Sequence, residues 1–151
     1  MKLTIIAGLP GTGKTHLARR LEAETGAVRL SRDEIRAELF QSPTYSEAQK
    51  KEAFDSMLIK AAYELSQGND AILEGMPFSR RWERDAARDL AALTSAEFEL
   101  IHCVCSEELA LERIAAQEHP AADRSEALYF EVKSRFELFG YDEEVTEVET
   151  G

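Results

Sequence analysis

At 151 residues, with 44% hydrophobic and 31% charged side chains, the chain has the size of one domain able to bury a core. Asp and Glu outnumber Lys and Arg 29 to 18, a formal net charge of −11, which disfavours a broad nucleic-acid surface because phosphate backbones are held by clustered cations; a local basic groove stays compatible with it. The longest apolar stretches, such as residues 3–9, fall far short of the roughly 18 residues that a membrane-spanning helix needs, no secretory leader is read at the N-terminus, and a cytoplasmic location is expected.

Residues 3–7 form a short, β-branched apolar run and predict a strand; a glycine-rich turn follows, then the helical spacing of Leu17, Ala18 and Leu21 up to Gly26. Residues 28–30 read as a short strand, 33–40 as a short helix and 46–67 as a long one. Ser46 and Gln49 have capping-box spacing at its start, and Gly68 marks its end. Residues 70–74 predict a third strand, Gly75 and Pro77 a turn, and residues 79–93 a helix. A strand-like run at 97–105 leads to a helix capped by Ser106 and reaching about residue 117, and Ser125 caps a last helix predicted to end at Gly140. The polar connector between them, residues 119–124, is short and suited to move over a site. In the acidic tail, Val145 and Val148 with Thr146 and Thr150 predict a closing edge strand. Five strands interleaved with helices imply a parallel sheet covered on both faces, in one domain over 1–151 with a lid around 117–125. Cys103 and Cys105, one residue apart, suit neither a disulfide framework nor a zinc site and are read as buried free thiols on the fourth strand.

Directly after the first strand stand Gly8, Leu9, Pro10, Gly11, Thr12, Gly13, Lys14 and Thr15, a full match to the phosphate-binding P-loop G-x-x-x-x-G-K-[ST]. Its glycines let backbone N–H groups wrap an anion, the next helix offers its positive end, and Lys14 is placed to reach the outer phosphates. Thr15 would give its hydroxyl to Mg²⁺. The predicted nucleotide-binding set is Gly8, Pro10, Gly11, Thr12, Gly13, Lys14, Thr15 and His16, with ATP and Mg²⁺ as the implied cofactors. A merely tight turn would leave the Lys14 and Thr15 pair unexplained. A GTPase would carry an N-K-x-D guanine reader, but the only asparagine is Asn69, followed by Asp70. An AAA+ ring subunit needs a longer chain with a helical lid domain, so a compact phosphotransferase remains.

Three stretches in order, G-L-P-G-T-G-K-T at 8–15, L-S-R-D-E-I-R at 30–36 and A-I-L-E-G-M-P-F-S-R-R at 71–81, resemble the small bacterial P-loop kinases of the AAA-type ATPase, zeta-toxin, chloramphenicol phosphotransferase and polynucleotide 5′-kinase group. The resemblance covers residues 1 to about 139, and only the P-loop is diagnostic alone. It implies a three-layer P-loop NTPase fold, with a five-stranded parallel sheet in the order 2-3-1-4-5, and transfer of the γ-phosphoryl group of ATP to a hydroxyl. In that group an Asp just after the second strand is the catalytic base, and Asp33 matches it.

The residues themselves agree with that role. Doubly wound sheets bind ligands at the C-terminal ends of their strands, and a carboxylate there can take the proton of an attacking hydroxyl; the same residue would also serve as a first-turn helix acid. Arg36, one turn on, is a candidate substrate contact, whereas the plain reading of Arg32 and Arg36 is a solvated helix face. Glu74 stands where a Walker B acid would point at Mg²⁺, and substrate contact is its equal alternative. Polynucleotide kinases usually place Asp there, so the Glu74 and Gly75 pair looks more like the zeta-toxin pattern.

Arg80, Arg81, Arg84 and Arg88 fall on one helical stripe among Glu83, Asp85 and Asp89, read as a salt-laced surface. Arg80 and Arg81, nearest the strand ends, are the candidate substrate contacts, and Trp82 is read as packing. Related kinases carry phosphate-neutralising arginines around the lid. Arg113 fits one such place, Gln117 stands where another is common, and Arg124 is the expected replacement. The predicted catalytic set is therefore Lys14, Asp33, Arg113 and Arg124. The side chains of His16, His102 and His119 are scattered without metal-ligand spacing and are assigned no chemistry. A small-molecule hydroxyl is the favoured acceptor, with a nucleic-acid 5′ end kept open; the competing class is an ATP-binding or hydrolysing switch without an acceptor.

Overall fold

The computed structural model describes residues 1–42, 44, 46–117 and 125–151. Arg124, His119 and most of the predicted lid lie outside the described residues. Five strands and six helices follow in the order β1 (Lys2–Ala7), α1 (Lys14–Thr25), β2 (Val28–Ser31), α2 (Arg32–Leu39), α3 (Glu47–Ser66), β3 (Ala71–Glu74), α4 (Arg81–Leu93), β4 (Glu97–Val104), α5 (Glu107–Ala116), α6 (Glu126–Arg135) and β5 (Val145–Glu149). The sheet is parallel throughout, in the order β2-β3-β1-β4-β5. The order expected from the resemblance and the closing edge strand are both present.

Helices on the two faces explain why the central strands are apolar on both sides. Along β1, Leu3, Ile5 and Ala7 enter one core with Phe54, Met57 and Leu65 of α3 and with Ala87 and Ala91 of α4. Ile6 faces the other core, with Leu17 and Ala18 of α1 and Ile101 and Cys103 of β4. Serines cap three helices as read: Ser46, Ser106 and Ser125 accept from Gln49 N, Leu109 N and Leu128 N at 3.2, 3.1 and 3.2 Å. The capping box at Ser46 is only half formed, because the Gln49 side chain accepts from Thr44 N at 2.7 Å.

Expectations about the second half are corrected. The last helix ends at Arg135 and not at Gly140, because the next backbone groups have other partners: Glu137 N donates to Ser79 O at 2.7 Å, and Arg84 Nη2 donates to the carbonyls of Glu137 and Leu138 at 3.2 and 3.3 Å. Phe136 and Phe139 then turn onto His102, with ring centroids 5.9 and 4.9 Å away. Ser79 is thereby spent on this segment, and α4 starts at Arg81, not at 79. The other correction concerns Arg84, which is 1% exposed and so is no part of a surface stripe. Its guanidinium donates to Phe78 O at 2.9 Å, pairs with Glu143 at 2.9 Å and lies 4.6 Å from the Phe139 ring.

Burial acts to raise the Glu143 carboxyl, but hydrogen bonds from Arg84 and the Gly140 N–H, with the charges of Arg84 and Arg81, hold it below its ordinary value. A carboxyl held low stabilises the fold above its unfolded value of about 4.5, and that stabilisation is lost as pH falls through the lower folded value. Glu143→Gln is therefore expected to cost about 3 kcal/mol at neutral pH, the scale for leaving a buried charge without its partner. Urea denaturation as the pH is lowered should show wild type losing more stability than the variant in the acid range.

Candidate active site

The loop between β1 and α1 is fixed from several sides. Gly8 N donates to Pro77 O at 3.0 Å, Thr12 Oγ1 to Leu9 O at 2.7 Å, and Cys103 Sγ and Thr150 Oγ1 both donate to Thr12 O, at 3.1 and 2.5 Å. Gly11 has φ +80°, and a Cβ there would lie 2.6 Å from Ala110 O, so this turn excludes a side chain on two counts. Gly13 ends the loop in the left-handed region as the N-cap of α1, with no side-chain cap. The first-turn N–H groups, His16 among them, thus face the loop's hollow, while the His16 side chain is exposed. Lys14, 8% exposed, lies over the loop with Nζ donating to Gly8 O and Leu9 O at 2.9 and 2.8 Å.

The ends of three neighbouring strands converge beside this loop. Thr15 Oγ1 donates to Glu74 Oε2 at 2.9 Å, and the other oxygen of Glu74 takes Arg29 Nη1 at 3.1 Å. Glu74 is 1% exposed, so its charge needs this guanidinium. Gly75, at φ +78°, allows the closest approach of the chain after β2: a Cβ there would meet Ser31 Oγ and lie 2.9 Å from Arg32 N. Ser31 caps α2 from there and sets Asp33 in the helix's first turn. Asp33 is partly exposed and paired with the buried Arg36, whose Nη2 lies 3.2 Å from Oδ1.

Pro10, Lys14, Thr15 and Asp33 line one cavity of about 70 Å³, closed by Leu128 and Val132 of α6. Glu74 joins it through Thr15. Arg80 lies outside it, in a second cavity next door, with Nη1 3.5 Å from Glu47. Arg81 turns away to the tail, bound to Asp85 at 2.8 Å and Asp142 at 2.6 Å. Arg113 reaches the flank of the loop, donating to Gly11 O at 3.4 Å and to Thr150 Oγ1 at 3.0 Å. Cys103 is buried against the loop, and burial pushes its thiol up, which makes it unreactive; Cys105 lies just past β4 and is half-buried.

Sequence reasoning missed Arg29, Lys50 and Arg135. Each comes from a different element, and only the strand order and helix packing bring them here. Thr15 and Glu74 offer Mg²⁺ the oxygen donors it prefers, 2.9 Å apart. No group of three or more His, Cys, Asp or Glu among the described residues is arranged to hold a metal. Mg²⁺ at such sites takes phosphate oxygens and water alongside one or two protein ligands.

A P-loop at the C-terminal edge of a 2-3-1-4-5 sheet, with an acid closing the adjacent strand, defines a P-loop ATP-binding domain of the kinase fold. The chain belongs to the AAA domain family, whose sequence profile matches residues 3–138. It is 30% identical over 129 residues to the uncharacterized proteins Rv2004c of Mycobacterium tuberculosis and Mb2027c of Mycobacterium bovis, covering 78% of this chain and 26% of each of those. The chain thus spans about a quarter of the length of the curated relatives it matches. Among solved structures it is similar to a candidate kinase from Chloroflexus aurantiacus, with a TM-score of 0.77 and 25% identity over 97% of this chain and 86% of that one. A sugar kinase from Janibacter has a TM-score of 0.73 at 17% identity, over 98% of this chain and 84% of that one. A gluconokinase from Sinorhizobium meliloti has 0.70 at 12%, over 97% and 81%. The last two share the fold.

Thr15→Val is expected to weaken ATP binding by about tenfold, ~1.4 kcal/mol, with Mg²⁺ present and to leave metal-free binding unchanged; calorimetric titration in Mg²⁺ and in a chelator checks this. Arg29→Met strands the buried Glu74 charge and is expected to cost about 3 kcal/mol of stability, part of which Glu74→Gln in the same chain restores.

Proposed function

We propose that the chain is an ATP- and Mg²⁺-dependent kinase that moves the γ-phosphoryl group to a hydroxyl of a small molecule. The observation that carries this reading is the cavity shared by the P-loop and Asp33: Lys14 and Thr15 form one wall and the Asp33 carboxylate the other. Phosphoryl transfer asks for little more than such positioning and charge neutralisation. In the proposed reaction the loop's N–H groups and Lys14 hold the phosphates, and Thr15 and Glu74 would hold Mg²⁺, which would neutralise phosphate charge. The acceptor oxygen attacks the γ-phosphorus, its proton passes to Asp33, the bond to the β-phosphate oxygen breaks, and ADP leaves. Arg36 on one Asp33 oxygen orients the carboxylate and leaves the other for the hydroxyl.

Arg113 steadies the loop from its flank in this reading, and Arg124, with the lid around 117–125, supplies charge over the transferring group. Arg80 belongs with the acceptor. Arg81 is held by Asp85 of its own helix and Asp142 of the tail and has a structural part. A sugar kinase, a gluconokinase and a Mycobacterium tuberculosis APS kinase in complex with AMPPNP and APS all have this fold, which favours a small acceptor. No helix among the described residues is long and apolar enough to cross a membrane.

The test is transfer of label from γ-labelled ATP with Mg²⁺ into a metabolite extract and, separately, into a 5′-hydroxyl oligonucleotide. A labelled small molecule is expected, with Asp33→Asn reducing transfer about 10²–10⁴-fold, the range for losing a positioned base, and Lys14→Ala abolishing it. Release of free phosphate alone, unaffected by Asp33→Asn, would overturn the kinase in favour of a switch.

A further inference from the structure

Strands β2 and β3 lie side by side, with Arg29 opposite Ile72 and Ser31 opposite Glu74. Side chains two residues apart share a face of the sheet, so Arg29 and Glu74 are diagonal neighbours. Theirs is the face on which Ile72 packs with Leu17 and Ala18 of α1. Arg29 is 13% exposed and Glu74 1%, and the guanidinium meets the carboxylate at one oxygen only, Nη1 lying 3.1 Å from Oε1. The same guanidinium gives Nη2 to Glu34 Oε1 of α2 at 3.1 Å, and its Nε lies 3.9 Å from Glu22 Oε1 of α1. A planar fork among carboxylates from three elements is fixed in orientation, and it fixes the Glu74 carboxylate in turn. The oxygen left over, Oε2, accepts from Thr15 Oγ1 at 2.9 Å.

Resting on the reading of Thr15 and Glu74 as the metal-holding pair, we propose that Arg29 determines which metal the site accepts. By occupying Oε1 it restricts Glu74 to a single coordinating oxygen, and so it selects Mg²⁺ over Ca²⁺. The two ions ask for different things. Ca²⁺ collects six to eight oxygens at about 2.3–2.6 Å and readily takes a carboxylate through both of its oxygens. Mg²⁺ demands an octahedron at about 2.0–2.1 Å and makes do with one or two protein ligands beside phosphate and water. A carboxylate with one oxygen on a guanidinium cannot chelate, which withholds from Ca²⁺ the contact it gains most from. One carboxylate oxygen and one hydroxyl, already 2.9 Å apart, have the spacing of neighbouring ligands on the smaller octahedron. The charge of Arg29 also offsets that of Glu74, so the pair draws little cation by itself and favours a cation that arrives on the nucleotide's phosphates.

A purely structural Arg29 would act differently. It would neutralise a buried carboxylate, and its loss would lower ATP affinity by the same factor whichever metal accompanied the nucleotide. The ratio of affinities with the two metals therefore separates the roles.

ATP binding to the full chain is measured by calorimetric titration at saturating Mg²⁺, at saturating Ca²⁺ and in a chelator, so that no transfer is needed for a signal. Wild type is expected to bind ATP about tenfold more tightly with Mg²⁺ than with Ca²⁺. Arg29→Gln frees Oε1 and should bring the two affinities to within about threefold of each other, with the affinity in chelator unchanged. Arg29→Lys, which keeps a cation beside Oε1, should restore most of the preference. Thr15→Val should weaken both metal complexes and keep the preference. Where Arg29→Gln does not fold, Glu34→Gln takes its place: it removes the guanidinium's exposed anchor, leaves Glu74 paired, and is expected to reduce the preference about threefold. Equal affinity with the two metals in wild type, or a preference unchanged in these Arg29 and Glu34 variants, overturns the assignment. Affinity in Mg²⁺ equal to that in chelator removes the metal reading of Thr15 and Glu74, and the assignment with it. Selective binding lost in Arg29→Gln, without label reaching any acceptor, supports the role of Arg29 and removes only the kinase.

Discussion

The hydrogen bond from Thr15 to Glu74 is the contact on which the site depends. It can exist only because β3 lies directly beside β1 in the sheet, so that the residue ending β3 and the second residue of α1 meet across one strand spacing. Arg29 on β2 completes the line from the other side of β3. The helix after β1 and the strands β3 and β2 thereby supply an alcohol, a carboxylate and a guanidinium in sequence. A carboxylate as buried as Glu74 would be costly without them, and with them it becomes a fixed negative charge at the mouth of an anion-binding loop. Such a charge opposes bare phosphate and favours phosphate that arrives with a cation.

Charge is arranged on a larger scale by the same logic. Carboxylates dominate the chain, yet the hollow between α2, α3, α4 and α6 gathers cations from all four helices or their caps. On the tail side, Asp85, Asp142 and Glu143 hold Arg81 and Arg84. Arg81 and Arg84, neighbours in sequence of Arg80, are thus withdrawn from the site, while Arg80 faces it. A helical stripe of arginines is split between structure and site by where the chain's tail returns.

What was legible in the sequence is what lies close along the chain. The P-loop is eight consecutive residues and Glu74 ends an apolar run, so each could be placed from its neighbours, while Asp33 was picked out mostly by the resemblance of the stretch around it; the alternation of strands and helices likewise announced a parallel sheet. Arg29, Lys50 and Arg135 were not legible, because each is an ordinary cation on its own element and gains meaning only from packing against others. Arg84 was misread for a related reason. Its position in the helix pattern is compatible with solvent, and only the returning segment with Phe139 and Glu143 covers it. The end of α6 was misplaced because local pattern cannot reveal that Ser79 and Arg84 capture the backbone groups that would have continued the helix.

The tail also bears on the loop at the other end of the site. Thr150 follows β5 and gives its hydroxyl to Thr12 O, while Arg113 binds both Thr150 and Gly11 O. The carbonyls of two consecutive P-loop residues, Gly11 and Thr12, are therefore anchored by α5 and by the segment after β5. A glycine-rich loop has much conformational entropy to lose on wrapping a phosphate, and anchoring its carbonyls outward sets its N–H groups inward before the ligand arrives. The closing edge strand, which adds only a partly exposed ribbon to the core, then has a second use in preorganising the phosphate site. On this account Arg113 bears on the phosphate site through the loop's backbone.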